Sequence, residues 1–439
     1  MNVLNNIAAP QSLEHLNLIN GLMAIAQFMM ISYSGIILFT LVFTKFLLND
    51  KNQSNVFFVG LAKKIIKTVT LNKSLPFALG IIPFLSIALG YVQLLRGTGS
   101  GVATILFFDF FLFSASIVAV YFYRFSVVFS IAIKKEAQLN EGENVKKEVT
   151  GFRKAAFKVS LILLLVSIYI YYSAFNLSLK PEFWSKPYFF LKSVFSTGSL
   201  SQFILFLNYS LLLGSLFSYL LIAGGGTSAD SIQRKELLQK IVKVSLISVI
   251  ILPITILFGI ISMPGKGLNY YLFIFAGIVL LLVFIGANIN YAILRYSFKK
   301  YAGVLFGISL LIVGFSVLGN QFAVKTASVT NAALQEKYFE NYKVEMEKKF
   351  GNFVEKISGK EIFDTKCSAC HAFDHKVVGP PYNQVLPQFE GKMDDLVKFI
   401  LNPVKVNPDY PNMPNQGLRP KEARAIAEFI MKTYKKGKK

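Results

Sequence analysis

The 439-residue chain holds only two cysteines, three histidines and one tryptophan. Cys367 and Cys370 stand three positions apart, so they cannot form the disulfide framework of a small secreted domain, and no second pair completes a four-thiolate zinc site. Their chemistry has to be of another kind. His15 is the only histidine before residue 371, so the long stretch between them offers no pair of imidazoles to a metal. Carboxylates are scarce too: 24 Asp and Glu stand against 46 Lys and Arg, for a formal net charge of +22. No Lys or Arg precedes the first apolar run in "MNVLNNIAAPQSLEHLN". That start lacks the basic region of a cleavable secretory signal, and the first hydrophobic segment is expected to stay in the mature chain.

What the chain has in excess is apolar residues, 54% hydrophobic and 14% aromatic, which places it among membrane proteins. A hydrocarbon core of about 30 Å needs roughly 20 apolar residues in a helix. Eight runs meet that length: Leu18 to Phe43, Leu75 to Leu95, Val102 to Ile133, Ala155 to Leu179, Ser201 to Ala223, Ile241 to Ser262, Tyr270 to Arg295 and Tyr301 to Asn320. The basic residues sort by loop. Those after odd-numbered runs carry clusters such as Lys63, Lys64 and Lys67, or Lys134, Lys135, Lys146 and Lys147, whereas the opposite loops hold only Arg96, Lys180, Lys186, Lys192 and Lys266. By the positive-inside rule the first set is cytoplasmic and both termini are outside. The high charge is thus largely topology, and no nucleic-acid partner is expected.

A parallel repeat of four plus four spans is expected from matching landmarks. Pro83 and Pro253 sit in "PFLSIALG" and "PITILFG", while Arg124 and Arg295 close "YFYRFSV" and "YAILRYSF", at offsets that agree within one residue. Trp184, in "PEFWSKPYFF", reads as part of an interfacial aromatic belt. Asp109, in "LFFDFFLF", lies about seven residues into the third run, roughly 10 Å deep at 1.5 Å per residue. A carboxylate at that depth is costly unless paired or hydrated, and Arg96 is its candidate partner.

After Asn320 the composition turns to Ala, Glu and Lys. Leu334, Tyr338, Tyr342, Met346, Phe350 and Val354 recur at every fourth residue, a helical stripe that reads as an amphipathic linker over 321–354. The remaining residues, 355–439, contain "DTKCSACHAF". In CxxCH two thiols can add to the vinyl groups of haem, and the adjacent histidine, His371, can reach the iron. Met413, between prolines in "YPNMPNQG", is placed to supply a second axial ligand from far along the chain, with Met393 and His375 as competitors. "VVGPPY" follows the histidine at a distance where its backbone can accept the other imidazole N–H.

Across roughly Glu355 to Tyr434 these residues resemble class I c-type cytochromes. The resemblance implies one covalent haem c on Cys367 and Cys370, axial ligation by His371 and Met413, and Pro380 as the carbonyl partner of His371. It also implies haem attachment on the outer side of a bacterial membrane, which agrees with the side derived from Lys and Arg. His15, just before the first span, is similar in position to a haem-ligating histidine in the large subunit of cytochrome bd quinol oxidases, but the rest of that ligand set is missing. Paired-histidine b haems are excluded.

The expected fold is all-α: a polytopic transmembrane bundle over 1–320, the linker, and a C-terminal cytochrome c domain. The expected function is single-electron transfer on the periplasmic side of the bacterial inner membrane, in contact with lipid and with respiratory donor and acceptor complexes. The alternative is a quinol-oxidising subunit that feeds its own haem, with Asp109, Arg96 and His15 lining a quinol or proton-release pocket. A third reading is an assembly or transport module with an electron-carrying appendage.

Overall fold

A computed structural model of the chain describes residues 13–49, 55–71, 74–95, 100–136, 143–184, 189–224, 231–296, 299–350, 358–408 and 410–437. All regular structure among them is helical. The chain divides into two compact units, Met1–Phe339 and Glu340–Lys439.

The first unit contains α1 (Leu13–Leu47), α2 (Val56–Val69), α3 (Ser74–Leu94), α4 (Val102–Glu136), α5 (Glu143–Ser178), α6 (Phe189–Val194), α7 (Thr197–Ala223), α8 (Ser231–Ile261), α9 (Tyr270–Tyr296) and the start of α10 (Ala302–Phe350). Eight of these, all except α2 and α6, are long and apolar enough to cross a membrane. Helices α1 and α7 form the centre. Their apolar windows are 72% and 67% buried, against 22–39% for the other six, whose outer faces are left to lipid.

Association within lipid gains little from hydrophobic burial, because the tails are as apolar as leucine, so close packing and interhelical hydrogen bonds carry it. The Ser210 hydroxyl of α7 donates to the Gly35 carbonyl of α1 at 2.8 Å. Helix α10 is tied to α1 by amides: Gln27 Nε2 donates to Gln321 Oε1 at 2.9 Å, and Gln321 Nε2 donates to Asn20 Oδ1 at 2.7 Å. Such bonds contribute on average about 0.6 kcal/mol each in a bilayer.

Several features depart from the sequence-based expectation. Helix α8 begins at Ser231, well before Ile241, because the polar segment "SIQRKELLQK" is itself helix-forming and extends the span. Helix α10 runs 49 residues without a break, so the expected linker helix continues the last span through Phe350. Of its stripe, the side chains of Leu334, Tyr338, Tyr342, Met346, Phe350 and Val354 lie outside the described residues. Trp184 is not an exposed belt residue; it is buried and its indole N–H donates to the Leu177 carbonyl at 3.1 Å. Helix α3 contains a π-turn at Phe77–Ile81, just before Pro83. Proline lacks the N–H that would continue the ladder and crowds the carbonyl four residues back, and a widened turn absorbs both.

The second unit holds α11 (Gly359–Lys366), α12 (Tyr382–Val385), α13 (Met393–Leu401) and α14 (Pro420–Gly437). Helix α11 starts with the Ser358 hydroxyl accepting from the Glu361 N–H at 3.2 Å. Helix α14 starts with Pro420, and the Arg419 N–H donates to the Glu422 carboxylate at 2.8 Å. Arg419 in turn holds the Glu422 carboxyl below the usual carboxylate range. The apolar face of α14, including Ala423, Ile426, Ala427 and Ile430, packs with Phe363, Leu396 and Ile400 into the core of this unit.

Candidate functional site

Helix α11 delivers the cysteine motif. It ends as the Cys367 N–H donates to the Phe363 carbonyl at 2.9 Å, and the chain then curls tightly, with the Cys370 and His371 N–H groups donating to the Cys367 carbonyl at 3.1 and 3.0 Å. Burial pushes the Cys367 thiol up from its ordinary range, and the neighbouring Cys370 adds to the shift. The following segment folds back against the motif: the N–H groups of Val378 and Gly379 donate to the Cys370 carbonyl at 3.2 and 2.9 Å.

That return places three groups around His371. Its Nδ1–H donates to the Pro380 carbonyl at 3.1 Å, which leaves Nε2 as the nitrogen with a free lone pair. Tyr382 stacks on the imidazole with ring centroids 5.0 Å apart and planes 28° from parallel. Gly379 forms the floor: a Cβ there would lie 2.8 Å from Nδ1 and closer still to Cε1. The ring is therefore fixed by a hydrogen bond, a stacked aromatic and a glycine that can approach it closely.

His371 lines a cavity of about 350 Å³, within the usual range of small-molecule sites. Cys367 and Met413 line the same cavity, and its walls are mainly apolar, with Leu386, Phe399, Ile400 and Leu418 among them. Two contacts hold the methionine segment over the histidine segment: Lys366 Nζ donates to the Gln416 carbonyl at 3.1 Å, and Lys376 Nζ lies 4.6 Å from the centroid of the Tyr410 ring. The competing ligands are elsewhere. Met393 opens α13 and lines a surface groove with Glu428 and Met431, while His375 is exposed and its Nδ1 lies 2.8 Å from Asp374.

Residues 357–433 match the cytochrome c family. A cytochrome c-551 of Pseudomonas denitrificans is 37% identical over 79 residues, which cover 95% of that protein and 17% of this chain. The chain belongs to the cytochrome c family. A cytochrome c-551 of Azotobacter vinelandii is similar at 32% identity over 78 residues, again covering 95% of that protein and 17% of this chain. Membership implies covalently bound haem c and electron transfer. The residues fit such a group: the cavity presents a thiol, an imidazole with its outer nitrogen already engaged, and a thioether, on otherwise apolar walls.

Gly379 and Tyr382 are the parts of the cytochrome site that reading the sequence did not single out. Their signal was present in "VVGPPY", where a glycine before two prolines followed by an aromatic marks a stiff strap, but the close approach to the ring depends on the fold. Gly379→Ala is expected to push the imidazole off its Pro380 hydrogen bond and to lower the yield of covalent haem per chain several-fold. A haemochrome assay on purified protein checks this, and Gly391→Ala, in open space elsewhere in the domain, serves as the control.

Of the membrane residues singled out with them, Asp109 and His15 lie within the described residues. Asp109 is 1% exposed on α4, and neither carboxylate oxygen accepts a hydrogen bond from a described residue. It faces Ser167 of α5, with Tyr171 near by. The described structure thus gives Asp109 no ion pair and encloses it within the helix packing. His15 is exposed near the start of α1 and is not a hydrogen-bond partner of Asp109, and Arg96 lies outside the described residues.

Proposed function

We propose that this chain is a membrane-anchored monohaem cytochrome c that passes single electrons between respiratory complexes on the periplasmic side of the bacterial inner membrane, with both termini outside. The observation that carries the reading is the single cavity that receives Cys367, His371 and Met413. In this reading Cys367 and Cys370 form the thioethers, and His371 and Met413 ligate the iron, which supplies a one-electron couple at the relatively high potential that His/Met ligation favours. Pro380 and Tyr382 orient His371, and the apolar walls exclude water. The orientation draws on the loop distribution of Lys and Arg and on haem c attachment outside the membrane. Anchoring keeps the domain at high effective concentration beside membrane partners, so tight docking is unnecessary.

A second reading, a quinol-oxidising subunit that reduces its own haem, draws on Asp109. An intramembrane carboxyl without a cationic partner among the described residues is a functional candidate by default, and quinol oxidation has protons to release. It gains nothing from His15, which is exposed. Purified protein separates the two. A pyridine haemochrome spectrum is expected to show c-type haem alone, one per chain, and a quinol analogue is expected to leave the ferric haem oxidised until a donor complex is added. Direct reduction by the analogue, abolished in Asp109→Asn, would replace the carrier reading with the second one.

A further inference from the structure

Helix α2 lies between the first two spans and is too short to cross the membrane. Its apolar face, Leu61, Ala62, Ile65, Ile66 and Val69, is buried. Two tyrosine hydroxyls satisfy carbonyls at its C-terminal end: Tyr33 of α1 donates to Val69 O at 2.9 Å, and Tyr121 of α4 donates to Thr70 O at 3.2 Å. The end of α2 is thereby fixed against two membrane helices.

Beside that junction lies a groove of about 600 Å³, lined by Lys67 of α2 and by Val118, Tyr121, Phe122, Arg124, Phe125 and Val128 of α4. Its wall faces outward: Val118, Phe122 and Phe125 are 53%, 55% and 60% exposed on a helix long and apolar enough to cross a membrane. Its two cations come from different helices, Lys67 from α2 and Arg124 from α4, where Arg124 falls between Phe122 and Phe125. Arg124 is near the close of the apolar stretch Val102–Phe129, with its guanidinium carbon 5.7 Å from the centroid of the Tyr121 ring, and Lys67 is in the last turn of α2. Neither is in an ion pair with a described carboxylate, and no carboxylate lines the groove.

We propose that this groove binds an anionic phospholipid, with its phosphate between Lys67 and Arg124 and an acyl chain along Val118, Phe122 and Phe125. The chemistry selects the occupant. Two cations without carboxylate partners at headgroup level call for negative charge, and long basic side chains near span ends reach for that level. The exposed apolar wall beside them calls for hydrocarbon, which a free phosphate does not supply. A zwitterionic lipid brings an ammonium for which the groove has no acidic partner. The second span set has Arg295 at the corresponding end of α9, but it has no counterpart of α2 among the described elements, and Arg295 does not line this groove.

The test is a titration of the detergent-purified full chain, carrying its haem, with phosphatidylglycerol or phosphatidylcholine of identical acyl chains, read by native mass spectrometry. The parent is expected to prefer phosphatidylglycerol. At about 1 kcal/mol per basic side chain near the membrane surface, Lys67→Gln and Arg124→Gln should each reduce that preference about fivefold, and the double variant about 30-fold. Arg295→Gln should leave it unchanged, and the charge-conserving Lys67→Arg with Arg124→Lys should retain it. An unchanged haem spectrum and melting temperature establish that each variant is folded. A double variant that keeps the parental preference overturns the proposal. So does an equal loss in Arg295→Gln, a loss in the charge-conserving pair, or displacement of the lipid by inorganic phosphate at matched concentration.

Discussion

Met413→Ala is expected to lower the reduction potential of the cytochrome by on the order of 0.2 V, a fraction of the roughly 0.8 V over which axial ligands set haem potentials. Covalent haem per chain should stay at the parental level, because the thiols and His371 lie in a different segment and keep their own support. The reason for the drop is specific to the cavity. Met413 lines the same cavity as a histidine already oriented by Pro380, and as the proposed second ligand its thioether would be soft and neutral and would favour reduced iron. Alanine would leave the proposed ligand position to water or a stronger donor, in a domain whose cavity walls are mainly apolar. Potentiometric titration of the full chain measures the shift. The matched controls are Met393→Ala and His375→Ala, expected to lie within experimental error of the parent because neither side chain lines the cavity. A large drop in either control with none in Met413→Ala would give the axial position to another residue.

The legible parts of this protein were those with a period or a spacing. Eight apolar runs became eight helices, because span length is set by bilayer thickness and helical rise alone. The cytochrome c domain was readable from CxxCH, because haem attachment constrains residue types at short spacing, while the axial role of Met413 stays a proposal. The unreadable parts depend on what meets what in space. Asp109 gave a costly carboxylate from its sequence, but its enclosure beside Ser167 comes from the pairing of α4 with α5. Trp184 looked interfacial from its loop, yet its N–H found a carbonyl seven residues back and the ring was buried. The linker was legible as a helix, but its unbroken continuation from the last span was not, because apolar periodicity ends where helix propensity does not. The proposed four-plus-four repeat gains from the burial of its two first members, α1 and α7, at the centre of the bundle. It gains nothing from the prolines, since the π-turn ahead of Pro83 has no counterpart ahead of Pro253.

Gly359→Val is the substitution expected to harm the cytochrome domain most without touching the proposed haem ligands. Gly359 opens α11 where it crosses α14. A Cβ there would fall on the Ala425 carbonyl, inside any permitted contact, and 3.0 Å from the Phe429 Cβ. The obstacle is backbone in the middle of a helix, so it cannot rotate away as a side-chain tip would. The two helices must separate, and their shared core loosens, including the Phe363 and Phe429 rings 5.4 Å apart. Overpacking of this kind costs about 1–3 kcal/mol and sometimes more. In a domain of about 100 residues each kcal/mol is worth roughly 4–8 °C, so the haem absorbance should melt about 10–20 °C below the parent. Because Cys367 follows directly on the last residue of α11, displacing the helix also displaces the attachment motif, and covalent haem per chain should fall with the melting temperature. Gly391→Ala separates the two effects. Gly391 sits at φ 80° with nothing near its missing Cβ, so alanine there carries a left-handed backbone cost of about 1–2 kcal/mol and lowers the melting temperature while leaving haem content at the parental level. If Gly359→Val instead melted with the parent and kept its haem, the α11–α14 crossing would not be what holds the cysteine motif in place.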